Sequence, residues 1–375
     1  MRAFVRVMWG WMCGLIGMSA VVAAGQTASV TFSTTAARNG AVIVSLATRT
    51  PKAKIYYTLD GSTPTASSMI YEAPFLVASN LTVKALAAAR GSANSGVASR
   101  AFAANIASGT LVWSDEFTNA GASEHGQPNP AVWTYDTGTN CCGNHELETY
   151  CAWASAHGPC NPANPNAYVG ADGYLHVVGL NPSANVYTSA RLKSAGLFSF
   201  MYGRIEARMK LPESQGMWPA FWLLGNNIKT VSWPACGELD VMEHINGDNS
   251  PYNVGEKAPG YDWIAGSVHG GTSGKNELNG TEKYHPAGFS AAEWHTYGMT
   301  WTKGKVEFYV DDPAKPYVTF TPTNGEFTPG TWPFDAGPQF VILNLAIGGD
   351  WPGNPDSTTV FPADMLVDYV RIYAN

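Results

Sequence analysis

The chain reads as all-β and as two modules, and three observations predict this. Short alternating apolar and polar runs, bounded by Gly, Pro, Asn and Asp, recur along the sequence, and no helical period longer than two turns appears. Charged residues make up only 14% and aromatics 12%, with 39 Gly and 24 Pro, the balance of a loop-rich exported β-protein rather than a helical cytosolic one. Tryptophan use breaks near Ala104–Gly109: residues 27–104 contain none and residues 110–375 contain eleven. The expected division is a leader over residues 1–25, a small β-sandwich module over 26–105 and a larger β module over 110–375.

The leader follows from composition. Arg2 and Arg6 precede a mostly apolar Val7–Val22, and small residues at Ala23, Ala24 and Gly25 suit signal peptidase. The apolar stretch is short for a membrane span and carries Gly10, Gly14 and Gly17, so a cleaved signal peptide is expected, with export to an extracellular or periplasmic space. The formal net charge is -7, and removing the leader's two arginines makes it -9 (20 basic, 29 acidic). An acidic chain without a Lys/Arg cluster argues against nucleic-acid and anionic-membrane partners. Five cysteines remain after Cys13: Cys141, Cys142, Cys151, Cys160 and Cys236. Disulfides within the 141–160 segment are expected ahead of a zinc site, because the eight-residue gaps are not a usual zinc spacing. The pairing is not readable, and the odd count leaves one thiol over.

In the first module, Ser29–Phe32, Ala41–Ala47, Lys54–Leu59, Phe75–Val77, Leu81–Ala87 and Gly96–Ala103 read as strands, with turns at Asp60-Gly61 and Ser79-Asn80. The run Ile55-Tyr-Tyr-Thr-Leu-Asp-Gly-Ser-Thr-Pro-Thr65 resembles the β-sandwich module at the C-terminus of chitobiases and β-hexosaminidases, which implies an accessory role. Tyr56, Tyr57 and Tyr71 are candidates for sugar contact; core or edge packing is the favoured alternative, since no Trp platform accompanies them.

The second module turns on Gly237-Glu-Leu-Asp-Val-Met-Glu-His244. Alternation makes this a strand with Glu238 and Asp240 on one face and Leu239 on the other. Glu243 is out of phase by one residue, and a β-bulge at Val241-Met242 would bring all three acids to one face. An arbitrary acidic run is a solvated edge. Here apolar spacers and the flanking Trp233-Pro234 point to a drier setting, where crowded carboxylates shift one another's pKa values. Paired carboxylates are what glycosidic bond cleavage requires.

Glu238-Leu-Asp-Val-Met-Glu243 resembles the motif of glycoside hydrolase family 16 in the bulged form carried by laminarinases, which are endo-β-1,3-glucanases. The resemblance extends through Leu111-Val-Trp-Ser-Asp-Glu-Phe117, Asn144-His-Glu-Leu-Glu-Thr-Tyr150, Asp172-Gly173, Ser189-Ala-Arg191, Tyr202–Pro212, Gly216–Leu224, Trp294–Trp301 and Met365–Tyr373. It implies a β-jelly roll of two curved antiparallel sheets and a retaining, endo-acting hydrolase of β-glucan polysaccharide. Glu238 would be the nucleophile, Asp240 its assistant and Glu243 the acid/base. Trp218 and Trp233 suit sugar stacking, and Trp222 matches a family cleft position although its run reads as buried. Asn144, Arg191 and His269 match positions that hydrogen-bond sugar hydroxyls; His244 reads as structural. The resemblance also implies one structural calcium ion, held by Glu116, Gly173 and Asp368, with no cofactor for catalysis. A monomer is expected. Mixed-linkage β-1,3-1,4-glucan or a galactan is the alternative substrate on the same fold, a transglycosylase would use the same residues, and a non-catalytic β-glucan recognition protein is the alternative from another class. The three intact acids weigh against the last.

Overall fold

The computed structural model describes residues 25–118, 124–139, 143–245, 262–272, 275–323 and 332–375. The expected leader, Cys141 and Cys142 lie outside these residues. Among the described residues, helix is confined to Ile228–Val231 and a 3₁₀ turn at Pro333–Asp335. None is long and apolar enough to cross a membrane.

The first module is two small sheets face to face. One orders Thr31–Ala36, Val42–Ala47 and Phe75–Val77; the other orders Met69–Ile70, Lys54–Thr58, Leu81–Ala88 and Ala98–Phe102. The first strand begins later than the sequence suggested, and Met69–Ile70 is an extra strand too short to show alternation. Val44, Leu46, Ile55, Val77, Val83 and Ala85 fill the space between the sheets. Tyr57 belongs to that filling: it is buried, stacked on Phe75 at 5.1 Å and edge-on to Tyr71 at 6.3 Å. The module is not a bead on a string. Leu76 N donates to Ser199 O (2.9 Å), Arg38 N to Val112 O (3.0 Å), and Ala41 and Leu76 join the core of the larger module.

The larger module is a sandwich of a seven-stranded and a ten-stranded sheet. The seven-stranded sheet runs Lys275–Tyr284, Ile264–Thr272, Glu238–Glu243, Met217–Gly225, Gln339–Ile347, Arg191–Lys193, Thr134–Asp136. The ten-stranded sheet is built around Leu175–Ser183, Ala363–Tyr373, Gly203–Lys210, His295–Thr302 and Lys305–Val310. Both are antiparallel except at one edge, where Glu148–Tyr150 pairs parallel to Val186–Ser189. Parallel pairing needs a long connection, and residues 151–185 supply it. That connection begins with a Cys151–Cys160 disulfide, the pairing that sequence left open, and no zinc site is formed by these two. Cys236 is free and buried.

Alternation separates the two faces of the seven-stranded sheet. Leu192, Phe221, Leu223, Leu239, Val268, Leu343 and Leu345 point into the core against Ile205, Ala207, Met299, Val367 and Val370 of the other sheet. Their sequence neighbours therefore point outward, and the candidate site lies on that outer face.

Candidate active site

The bulge falls at Val241-Met242, as the acid spacing requires. Phe221 pairs with Met242 and Trp222 with Asp240, so Val241 is the extra residue; on the other side Asp240 pairs with Ser267 and Glu243 with Ala265. Val241 and Met242 both enter the core, at 1% and 0% exposure, and the next residue, Glu243, returns to the outer face. Gly237 opens the strand at φ 81, and a Cβ there would meet Pro333, Phe334 and Gln339 at 3.0–3.2 Å, so a side chain would be both strained and crowded.

Each glutamate is held by one indole. Trp233 Nε1 donates to Glu238 Oε2 at 3.0 Å, and Trp218 Nε1 donates to Glu243 Oε1 at 3.0 Å. Ser267 Oγ lies 3.5 Å from Glu243 Oε2. Asp240, 3% exposed, sits between them, with His269 Nε2 3.2 Å from its Oδ2 and 3.9 Å from Glu238 Oε1. Burial is the largest influence on all three acids and disfavours their ionised forms. It pushes Glu238 up to about 8, helped by the Asp240 charge and opposed by His269, and Glu243 up to about 8, again with Asp240 adding to the shift. Burial pushes Asp240 well above its ordinary value. Burial and the crowding of like charges thus favour keeping protons on the trio, and its titration belongs to the group rather than to any one acid.

The expected substrate residues divide. Trp218, Trp222, Trp233, Arg191 and His269 all reach this face. Trp233 is 41% exposed, an open indole of the kind a sugar ring stacks on. Trp222 is half-buried rather than buried, because the strand's core positions are its neighbours Phe221 and Leu223. The Arg191 guanidinium lies over the Trp222 ring at 4.6 Å, and its Nε is 3.1 Å from Asp136 Oδ2. Asn144 is engaged by its own loop and a neighbouring one. Its side chain donates to Glu146 Oε1 (3.2 Å), and its carbonyl accepts from Asp350 N (2.9 Å), locking two loops together. His244 points away from the acids as expected: it is buried, with Nδ1 2.7 Å from Trp263 O.

Sequence reasoning missed a relay beneath Trp222. Trp222 Nε1 donates to Asn344 Oδ1 (2.7 Å), Asn344 Nδ2 donates to the Tyr150 hydroxyl (3.3 Å), and Tyr150 hydrogen-bonds the buried Glu148. Glu148 Oε2 also accepts from Ile347 N at 2.8 Å. The relay fixes the Asn344 amide orientation and with it the Trp222 ring. A signal existed: Asn344 is the one polar residue in Phe340-Val-Ile-Leu-Asn-Leu-Ala-Ile347. Trp263 and Trp351 were also missed. Trp351 packs edge-on to Trp218 at 5.1 Å and lies 6.0 Å from Trp263, an aromatic wall on the Glu243 side that no local motif announces.

The expected calcium residues lie with the ten-stranded sheet. Both Glu116 oxygens take Arg371, with Nε at 3.1 Å and Nη2 at 2.8 Å. Asp368 Oδ2 takes Arg208 Nη1 at 2.8 Å, leaving Oδ1 outside the pair. Gly173 sits at φ 85 in the turn before the Leu175–Ser183 strand. The Asp368 and Gly173 oxygens suit a hard cation. The Glu116 carboxylate does not fit while Arg371 holds both of its oxygens.

A sandwich that presents buried, indole-anchored carboxylates beside an exposed aromatic on one sheet face is the equipment of a glycoside hydrolase. The family comparison agrees: residues 166–371 match the model of glycosyl hydrolases family 16, and the chain belongs to that family. Residues 44–102 match the Fn3-associated model. A beta-glucanase of Rhodothermus marinus is 36% identical over 272 residues, 70% of this chain and 84% of that protein. The laminarinase catalytic domain of Thermotoga maritima superposes with a TM-score of 0.56 at 34% identity, over 71% of this chain and 98% of that one. The endo-beta-1,3-glucanase of Pyrococcus furiosus gives 0.55 at 36%, over 70% and 94%.

Proposed function

We propose that the protein is a secreted, endo-acting, retaining glycoside hydrolase that cleaves β-1,3-glucan. The observation that carries this is the bulged strand, which sets Glu238, Asp240 and Glu243 on one face with each glutamate oriented by an indole N–H. The relatives named for laminarin and β-1,3-glucan hydrolysis support the linkage. Glu238 attacks the anomeric carbon as the glycosidic C–O bond breaks, and Glu243 gives its proton to the departing oxygen. Glu243 then takes a proton from water, which attacks the same carbon and releases Glu238. Asp240 holds the charge balance between the two steps. Arg191, His269, Trp218, Trp222 and Trp233 bind the glucan around this centre, with Asn144 bracing the loop beside it.

The test is product analysis of the purified protein on laminarin, lichenan and agarose, with Glu238→Gln as control. Laminari-oligosaccharides from laminarin, absent in the control, are the expected result. Binding of laminarin without any product would overturn hydrolysis in favour of recognition. Products mainly from lichenan or agarose would reassign the linkage.

Three further proposals attach to this reading. The first module is an accessory domain of the chitobiase C-terminal kind, and the packed Tyr57 favours a structural rather than sugar-binding role for it. The protein acts as an exported monomer. A structural calcium ion would use Asp368 Oδ1 and the Gly173 carbonyl, with Glu116 joining only by giving up Arg371. Calcium should then raise Tm over a chelator control, and Asp368→Ala should remove the difference.

A further inference from the structure

The acids that define the site also form a donor set that glycoside cleavage does not need. We propose that Glu238, Asp240 and His269 bind one borderline transition-metal ion, zinc(II) or copper(II), and that this ion reversibly blocks the enzyme. The binding claim stands on geometry alone; its inhibitory consequence rests on the reading of Glu238 as nucleophile.

One ligand atom from each of the three side chains lies within 4.8 Å of the other two. His269 Nε2 is 3.2 Å from Asp240 Oδ2 and 3.9 Å from Glu238 Oε1. Metal–ligand bonds of about 2.0–2.2 Å in a tetrahedron put ligand atoms roughly 3.3–3.6 Å apart, so the His269–Asp240 pair already fits and Glu238 closes the shell by turning inward. The register explains the grouping: Glu238 pairs directly with His269 across neighbouring strands, and Asp240 is two residues along on the same face.

A second observation points to a ligand. Asp240 is 3% exposed, and its Oδ2 accepts no hydrogen bond from a described group, although it lies beside the His269 imidazole. A buried carboxylate oxygen without a donor is unfavourable, and a cation there would satisfy it. The orientation of Glu238 is also suitable. Trp233 holds Oε2, and the other oxygen is the one nearer His269. Glu243 is anchored separately by Trp218 and stays outside the shell. Three protein ligands leave a fourth position for water.

The donor types select the ion. An imidazole with two carboxylates suits zinc and copper, whereas calcium and magnesium demand more oxygens than this group offers. A metal on Glu238 would occupy the oxygen lone pair needed for attack and would stand where the sugar ring must sit. Inhibition should therefore be competitive with glucan.

The experiment titrates zinc chloride into the intact protein, reading binding by calorimetry and initial rates on soluble β-1,3-glucan. One zinc per chain, competitive inhibition, reversal by EDTA and no inhibition by calcium are expected. His269→Gln should raise both Kd and Ki for zinc by at least ~10-fold, since even outer-shell changes weaken metal sites by 10–100-fold. Its lower basal rate does not matter, because calorimetry reads binding directly. Zinc binding that is unchanged in His269→Gln, or inhibition that is not competitive, would overturn the proposal. So would loss of inhibition in Cys236→Ser, which would place the metal on the buried thiol. If the protein hydrolyses no glucan at all, the calorimetric arm still decides the metal site and the functional reading alone fails.

Discussion

The two candidate catalytic glutamates and the carboxylates of the ten-stranded face are held in opposite ways. On the ten-stranded face, Glu116, Asp172, Glu206, Asp364 and Asp368 each have a basic partner. Glu116 has Arg371, Asp368 has Arg208, and His176 stands between Asp364 at 2.7 Å and Asp172 at 3.1 Å. Glu206, buried at 6% exposure, takes Arg204 and the hydroxyls of Tyr309 (2.7 Å) and Tyr373 (2.9 Å). On the seven-stranded face, neither Glu238 nor Glu243 has an arginine or lysine ion pair among the described residues; each has an indole N–H instead. The consequence is in how tightly each carboxylate holds its proton. Burial alone would raise Glu116, but Arg371 brings it below its ordinary value, whereas the indole-held acids rise to about 8. A strong cation fixes a carboxylate in its charged form. A neutral N–H fixes its position and leaves its proton exchangeable.

The sharpest way to break this contrast is to remove the exchangeable carboxylates. Glu238→Gln or Glu243→Gln should lower kcat/KM by at least ~10²-fold with the fold intact by circular dichroism. The opposite face should respond in stability. Glu206→Ala removes the acceptor shared by Arg204, Tyr309 and Tyr373, and a loss of about 2–3 kcal/mol is expected, seen as a fall in Tm with activity per folded molecule unchanged.

A subtler test uses pH. Glu243 must be protonated to act as acid, so activity should fall through an alkaline limb near its folded pKa of about 8. Asp240 raises that value, so Asp240→Asn should move the limb to lower pH, measurable in kcat/KM profiles even at reduced rate. The same shift has a sign in stability. The folded state binds the Glu243 proton more tightly than the unfolded state, so stability present at low pH is lost as pH rises from the unfolded pKa toward about 8. Glu243→Gln should therefore raise Tm at pH 8 and leave it nearly unchanged at pH 4. The smallest expected effect is in the relay: Asn344→Ala should raise KM several-fold, from roughly 1 kcal/mol of lost orientation at Trp222, with kcat little changed.

The fold class was legible because alternation and turn residues act locally, and the acids were legible because they share one strand. The bulge could be placed from the phase error of Glu243 alone. What sequence did not reveal depends on partners distant in the chain. Trp351 meets Trp218 only after the loops fold back, and Asn344 meets Tyr150 across 194 positions. The docking of the first module was invisible for the same reason: Leu76 looks like any strand residue until Ser199 lies beside it. The Arg371 and Arg208 pairings were hidden too, since they depend on which outward residues become neighbours across strands.

The bulge at Val241 also has a consequence for chain length. Alternation counts in twos, so gaining or losing one residue normally turns the rest of a strand inside out. Here the odd residue is absorbed where it stands. Without Val241 the strand would read Glu-Leu-Asp-Met-Glu, in strict alternation, and the same three carboxylates would still share a face. The strand that carries the three acids is thus one whose length can change by a residue without altering the face they share.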